Sequence, residues 1–164
     1  MSQLSRRYAV IAAVGCALMA AVTSPSASPA ATSRCSTGNL SFEFVRSLGA
    51  LSHRQWDLAL RNVGSVTCQL KGYPGVGLLN SSARLINVHV VRRPGVVVRN
   101  VVLTPWKRAF FTFEFVVSAP CMHGIFPFGL QVFPPNSTQH LRMYRRFDVC
   151  RGISPQVSPV RASL

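Results

Sequence analysis

From Asn39 onward the chain alternates apolar and polar residues in short runs separated by turn residues. In "LSFEFV", Leu40, Phe42 and Phe44 fall opposite Ser41 and Glu43, the period of a strand with one buried face. "RQWDLALRN" is cleaner, with Trp56, Leu58 and Leu60 on one face and Gln55, Asp57 and Arg61 mostly on the other. Asn62 to Ser65 then turns the chain, Val66, Cys68 and Leu70 alternate again, and "GVGLLN" runs to Ser81-Ser82. "LINVHVVR" and "VVVRNVVL" flank Arg93-Pro94-Gly95, a hairpin signal. Beyond Thr104-Pro105, "AFFTFEFVV" is the most apolar run. After the loop that holds Cys121, "FGLQVFPP" ends in a Pro-Pro-Asn turn and "QHLRMYRRFDVC" leads to Cys150. The tail "GISPQVSPVRASL" suits an edge strand, where prolines are tolerated.

About eight short strands without a helical period predict an all-β chain, an antiparallel β-sandwich whose sheets each keep one wet face. A small β-barrel of the oligonucleotide-binding kind is the alternative. The length of 164 residues suits one domain, expected over 31–164. Residues 1–30 read as a signal peptide: Ser5-Arg6-Arg7 is a positive start, Tyr8 to Val22 an uncharged apolar core, and Ser28 and Ala30 the small residues at a cleavage site. The apolar core is shorter than the roughly 20 residues of a spanning helix. Arg6-Arg7 also opens like a twin-arginine signal, and Ala13-Val14-Gly15-Cys16 partly resembles a lipobox, so a lipoprotein anchored at Cys16 is the alternative to a secreted or envelope-associated chain.

Export changes the meaning of the cysteines. Without Cys16, Cys35, Cys68, Cys121 and Cys150 remain, an even set that predicts two disulfides in any of three connectivities. Sequential pairing would close two loops of about thirty residues, each crosslink stabilising by roughly 3 to 4 kcal/mol. The formal net charge is +14, or +12 once Arg6 and Arg7 leave with the signal. Such a field attracts polyanions, among them nucleic acid, anionic lipid and acidic wall polymers.

The residues for catalysis are sparse. Only Glu43, Asp57, Glu114 and Asp148 carry carboxylates, and Glu43 and Asp57 lie on polar strand faces where pairing with arginine is their ordinary use. Neither a nucleophile elbow nor a zinc-protease helix motif occurs. His123 or His140, with a carboxylate or Cys121, is what a hydrolase or redox enzyme would have to use. Cys121-Met122-His123, with His140 and Met143, offers soft donors without paired ligand spacing. No catalytic residue, metal or cofactor is therefore assigned. "YRRFDVCR" interleaves aromatics with arginine as single-strand binders do, but a strand would split them between two faces, so nucleic acid is not favoured. Three Asn-x-Ser/Thr triplets, at Asn39, Asn80 and Asn136, read as turn residues in a bacterial chain.

The densest run of turn chemistry is "NVGSVTCQLKGYPGV". Asn62 and Gly64 suit positive φ at a turn, Cys68 reaches another strand, and Gly72 and Gly75 let the chain bend around Tyr73-Pro74. Tyr73 can bury its ring while its hydroxyl caps a backbone group. The stretch is a stapled corner on this reading, not the loop of a reactive thiol. Together with Cys121, Leu130-x-Val132-x-Pro134-Pro135 and Val149-Cys150-x-Gly152, it resembles the domain of unknown function 4232 family, common in exported proteins of high-GC Gram-positive bacteria. The resemblance covers nearly all of the chain from Cys35 and implies an immunoglobulin-like sandwich with no assigned activity, sometimes lipid-anchored. Relatives tend to carry Pro-Gly where this chain has Pro105-Trp106, which leaves that turn type open and Trp106 a candidate exposed aromatic. The expected protein is a monomeric, non-enzymatic exported module that binds a protein or an anionic envelope component. Its interaction surface is sought at Arg92, Arg93, Arg99 and Trp106.

Overall fold

The computed structural model describes residues 32–117 and 123–164. The signal-peptide reading, Cys16 and Cys121 lie outside the described residues. After a 3₁₀ turn at Thr37–Asn39, the chain forms β1 (Leu40–Ala50), β2 (His53–Asn62), β3 (Cys68–Lys71), β4 (Gly75–Leu79), β5 (Val91–Arg92) and β6 (Asn100–Leu103). There follow β7 (Arg108–Val116), β8 (Gly124–Ile125), β9 (Gly129–Phe133), β10 (Leu141–Tyr144), β11 (Val149–Cys150) and β12 (Gln156–Val157). The fold is all-β. One layer is a five-stranded sheet ordered β1-β2-β7-β12-β5; opposite it lie a three-stranded sheet, β10-β9-β4, and two ribbons, β11-β8 and β3-β6. None of these sheets closes into a barrel, which removes that alternative.

The core forms where the alternation predicts it. Trp56, Leu58 and Leu60 of β2 and Ala109, Phe111, Phe113 and Phe115 of β7 point inward, against Leu70, Leu78, Leu103, Leu130, Val132 and Val149 of the other layer. Phe111 and Phe113 are fully buried, and truncating either to Ala would cost about 3–5 kcal/mol. At one end Trp56 meets Phe44 and Phe115 edge to face, both at 5.4 Å, and Phe147 at 4.6 Å.

A register shift in β1 has a specific use. Strict alternation would put residue 46 on the inner face with Phe42 and Phe44. The ladder with β2 slips between Phe44 and Arg46, so Arg46 stands opposite Asp57 instead. The bulge inverts the parity of the strand and carries a charge to the outer face.

Two expectations fail on pairing partners. The hairpin sought around Arg93-Pro94-Gly95 is absent, because its two arms enter different layers: β5 pairs in parallel with β12, whereas β6 pairs antiparallel with β3. The Arg93 amide still donates to Val157 O at 2.8 Å, but Pro94 has no N–H to continue the ladder, and Gly95 at φ 71° redirects the chain. The tail is likewise not an edge. β12 lies between β7 and β5, bracketed by Pro155 and Pro159, and the chain beyond it stays on β7 through reciprocal Phe110–Arg161 amide bonds of 2.8 Å.

Among the described residues one disulfide is found, Cys35–Cys68, with Cα atoms 4.8 Å apart. Cys150 is also disulfide-bonded, and the second bridge expected through Cys121 lies outside the described residues.

Candidate functional site

The turn after β2 is built by the Asn62 side chain. Asn62 is fully buried; its Nδ2 donates to the carbonyls of Val66 and Leu103, both at 2.9 Å, and its Oδ1 accepts from the Gly64 amide at 3.0 Å. Neither Asn62 nor Gly64 has positive φ, contrary to the hairpin-turn expectation. The side chain supplies the turn instead, as an Asx turn does. A Cβ at Gly64 would lie 3.0 Å from Cβ of Asn39, a close approach that a larger residue could make only if Asn39 shifted.

Farther along, Gly72 takes φ 119° and its carbonyl accepts from the Val160 amide at 2.9 Å. The Tyr73 hydroxyl donates to Arg93 O at 3.0 Å, and the Arg92 guanidinium lies 5.4 Å over the Tyr73 ring. Pro74 is buried, and Gly75 opens β4 beside Phe133. Cys68 sits on β3 with its sulfur in the bond to Cys35, so neither of these is a thiol nucleophile.

The four residues sought as an interaction surface have different immediate partners. Arg92 is held by Tyr73, and Arg93 pairs with Glu114. Arg99 lines a small cleft with Val96, Val97 and the 158–162 segment. Trp106 belongs to the turn that precedes β7, whereas Glu114 lies in that strand's second half. Trp106 is 62% exposed at φ 69°, and Arg61 lies 5.0 Å over its ring. The Lys107 amide donates to Thr104 O at 3.1 Å, closing a turn with Pro second and positive φ third, the type II arrangement.

Three carboxylates are held by arginine. Asp57, fully buried, accepts from Arg46 Nε at 2.6 Å and Gln55 Nε2 at 2.9 Å, with Arg161 Nη2 at 3.7 Å. Glu43 accepts from Arg108 at 2.6 Å and Arg61 at 3.4 Å. Partial burial pushes the Glu43 carboxyl up, but the hydrogen bonds and charges of Arg108 and Arg61 outweigh it and hold its pKa below the usual value. Glu114 is taken by Arg93.

His53 shares a cavity with Glu114, whereas His123 precedes β8 and His140 precedes β10. His140 is exposed with its ring 5.5 Å from Phe133, and the His123 carbonyl accepts from the Arg151 amide at 2.9 Å. Among the described residues no cluster of three or more His, Cys, Asp or Glu could hold a metal. The arginines after β10 stack on the protein's own rings, Arg145 on Phe44 at 4.0 Å and Arg146 on Phe128 at 4.4 Å, and Phe147 is packed against the core. Two arginines of that run thus sit on the protein's own rings, while Tyr144 stays exposed.

The concave features are modest. One cavity of about 380 Å³ lies at the β1–β2 hairpin between Gly49, His53, Arg54 and Glu114. Another of about 330 Å³ lies between Arg34, Lys71 and Asn100. Neither was legible from sequence, because each is assembled from separate elements.

A model of one family matches residues 35–161, from the first cysteine of the disulfide to the arginine that meets Asp57. The chain belongs to the DUF4232 family, described as a domain of unknown function. The DUF4232 match takes in every described strand. Comparisons with curated proteins and with solved structures find no match. Among the described residues no helix is long and apolar enough to cross a membrane.

Proposed function

We propose that the chain is an exported, non-enzymatic module with an immunoglobulin-like sandwich, which binds an anionic component at or outside the cell envelope through its basic surface. The observation that carries this reading is an uncompensated excess of cation. Glu43, Asp57 and Glu114 are each occupied by arginine. By contrast Arg34, Lys71, Arg84, Arg99 and Lys107 make no ion pair among the described residues. Solvated cations without counter-charge give a long-range field that draws in polyanions. The Cys35–Cys68 bond fits an oxidising compartment, which supports export.

The test is co-sedimentation of the full chain with polyglycerol phosphate immobilised on beads, at about 50 mM and about 500 mM salt, a range over which the screening length falls more than twofold. Retention at low salt and release at high salt is expected. Equal retention on uncharged beads, or indifference to salt, overturns the reading.

A further inference from the structure

The cavity beside the disulfide has a lining suited to an anion. The Cys35–Cys68 bond holds two segments in parallel register, so that Arg34 bridges to Gln69. The Cys35 amide donates to Gln69 O at 3.1 Å and the Gln69 amide to Ser33 O at 2.9 Å. Two residues along β3, Lys71 pairs with Asn100 of β6. The third wall is the Pro134–Ser137 turn, closed by a 3.0 Å amide bond, where Asn136 takes φ 61° and its Nδ2 reaches Lys71 O at 3.4 Å. Arg34 and Lys71 thus face one space of about 330 Å³, lined also by Gln69, Asn100, Pro135 and Asn136.

The amides set the polarity of that space. Asn100 Nδ2 donates to Gln69 Oε1 at 2.5 Å, and Gln69 Nε2 donates to Thr32 O at 2.5 Å. This chain of bonds uses the Gln69 acceptor and leaves a second N–H on each amide nitrogen. The wall therefore presents two cations and spare N–H donors, with no carboxylate in the lining. Neither cation has an ion-pair partner among the described residues. Two such charges around one hollow repel each other until an anion enters, and an arginine fork beside an ammonium matches the oxygens of a phosphoryl group.

We propose that this cavity is a phosphate-binding subsite, taking one phosphodiester of the anionic ligand. It deepens the proposed function and rests on it. The volume leaves room for the adjoining polyol, whose hydroxyls can donate to the side-chain oxygens of Asn100 and Asn136. The phosphodiester can come from a wall polymer or from a lipid headgroup.

The test titrates the full chain with inorganic phosphate, followed by amide chemical shifts. Three proteins are compared: wild type, the double variant R34Q/K71Q, and the control R84Q/K107Q, which removes the same charge elsewhere. All four side chains are exposed, and matched melting transitions check that the folds are intact. Saturable shifts at Gln69, Lys71, Asn100 and Asn136 are expected, weakened at least about tenfold in R34Q/K71Q and at most about twofold in the control. Phosphate displacing the chain from polyglycerol phosphate beads identifies the wall polymer as source; phosphate displacing it from phosphatidylglycerol vesicles identifies the lipid. Equal weakening in both doubles, with salt-sensitive bead binding retained, overturns the subsite and leaves the proposed function standing. Absence of wild-type binding to both the beads and the vesicles removes both readings.

Discussion

Trp106 and Asn62 clasp the two turns that border the five-stranded sheet: the Trp106 amide donates to Asn62 O at 2.7 Å, and the Asn62 amide donates to Lys107 O at 2.9 Å. The clasp keeps Trp106 at φ 69°, a left-handed conformation that costs a bulky residue roughly 1–2 kcal/mol. The ring recovers part of this under Arg61. Replacement by Ala removes the ring and keeps the strain; replacement by Gly removes both. Trp106→Gly is therefore expected to be more stable than Trp106→Ala by about 1 kcal/mol, read from urea midpoints. Equal midpoints for the two would show that the turn is unstrained in solution.

Asn62 is the buried partner of that clasp. Its side chain satisfies two carbonyls and one amide; the bond to Leu103 O is buried, those with Val66 O and the Gly64 amide are only partly buried, and Asn62→Ala breaks all three. The buried carbonyl left unpaired costs about 1–3 kcal/mol, so a loss of at least about 1 kcal/mol is expected. Asn62→Asp keeps the bond from the Gly64 amide but loses both donations, and it places a carboxylate at a fully buried position. It should be at least as destabilising as Ala near neutral pH. A denaturation series in which Asn62→Ala costs less than about 1 kcal/mol contradicts this account.

How much of this was legible follows from whether the deciding contacts are local. β2 and β7 announce themselves, because Trp56, Leu58 and Leu60, and Ala109, Phe111 and Phe113, repeat with period two over long strands that face one core. The family signature also held, since its turn residues lie close together in the chain. β12 has two residues between prolines and no pattern of its own; only β5 and β7 on either side make it a strand. Arg46 looks like an inner-face position until the bulge at Val45 changes its parity, and nothing in "FEFVRS" marks that slip. The anion cavity was illegible for the same reason. Arg34, Lys71, Asn100 and Asn136 meet only through a disulfide, a ribbon and a turn. Arg92 and Arg93 are adjacent in sequence and Arg99 follows six residues later, and after the chain departs at Pro94 Arg99 has different neighbours from the other two.

Glu43 gives the fold an acid-sensitive component. Its folded-state pKa is lowered below the unfolded value of about 4.3, by Arg108 and Arg61 against an opposing effect of burial. A depressed carboxylate contributes stability that is present above the unfolded pKa and is lost as pH falls through the folded one. The loss should thus begin near about pH 5 and continue downward. Because the ion pairs are partly exposed, their total contribution is at most about 1 kcal/mol. In Glu43→Gln, thermal stability should be slightly lower at neutral pH and should fall less steeply between about pH 5 and 3. Parallel curves for wild type and variant across that range would show that the Glu43 pairs do not couple to folding.

The Cys35–Cys68 bond has both a global and a local effect. It spans a sequence separation of 33, and in the chain-entropy model closure of such a loop stabilises the fold by roughly 3.7 kcal/mol. Locally it holds the segment before β1 against β3, with Thr32, Ser33 and Cys35 all bonded to Gln69. The paired variant Cys35→Ser/Cys68→Ser should melt well below wild type, and residues 32–36 should exchange their amides faster than the β2–β7 ladder does. Arg34 then leaves the cavity wall first, so phosphate affinity should drop at temperatures where the core is still folded. Reduction in wild type, which also opens the bond at Cys150, should show both effects with a larger loss of stability. If the double variant loses stability but retains amide protection at position 35 and at Gln69, the bond acts only on the unfolded chain, and Arg34 is held by the parallel bridge alone.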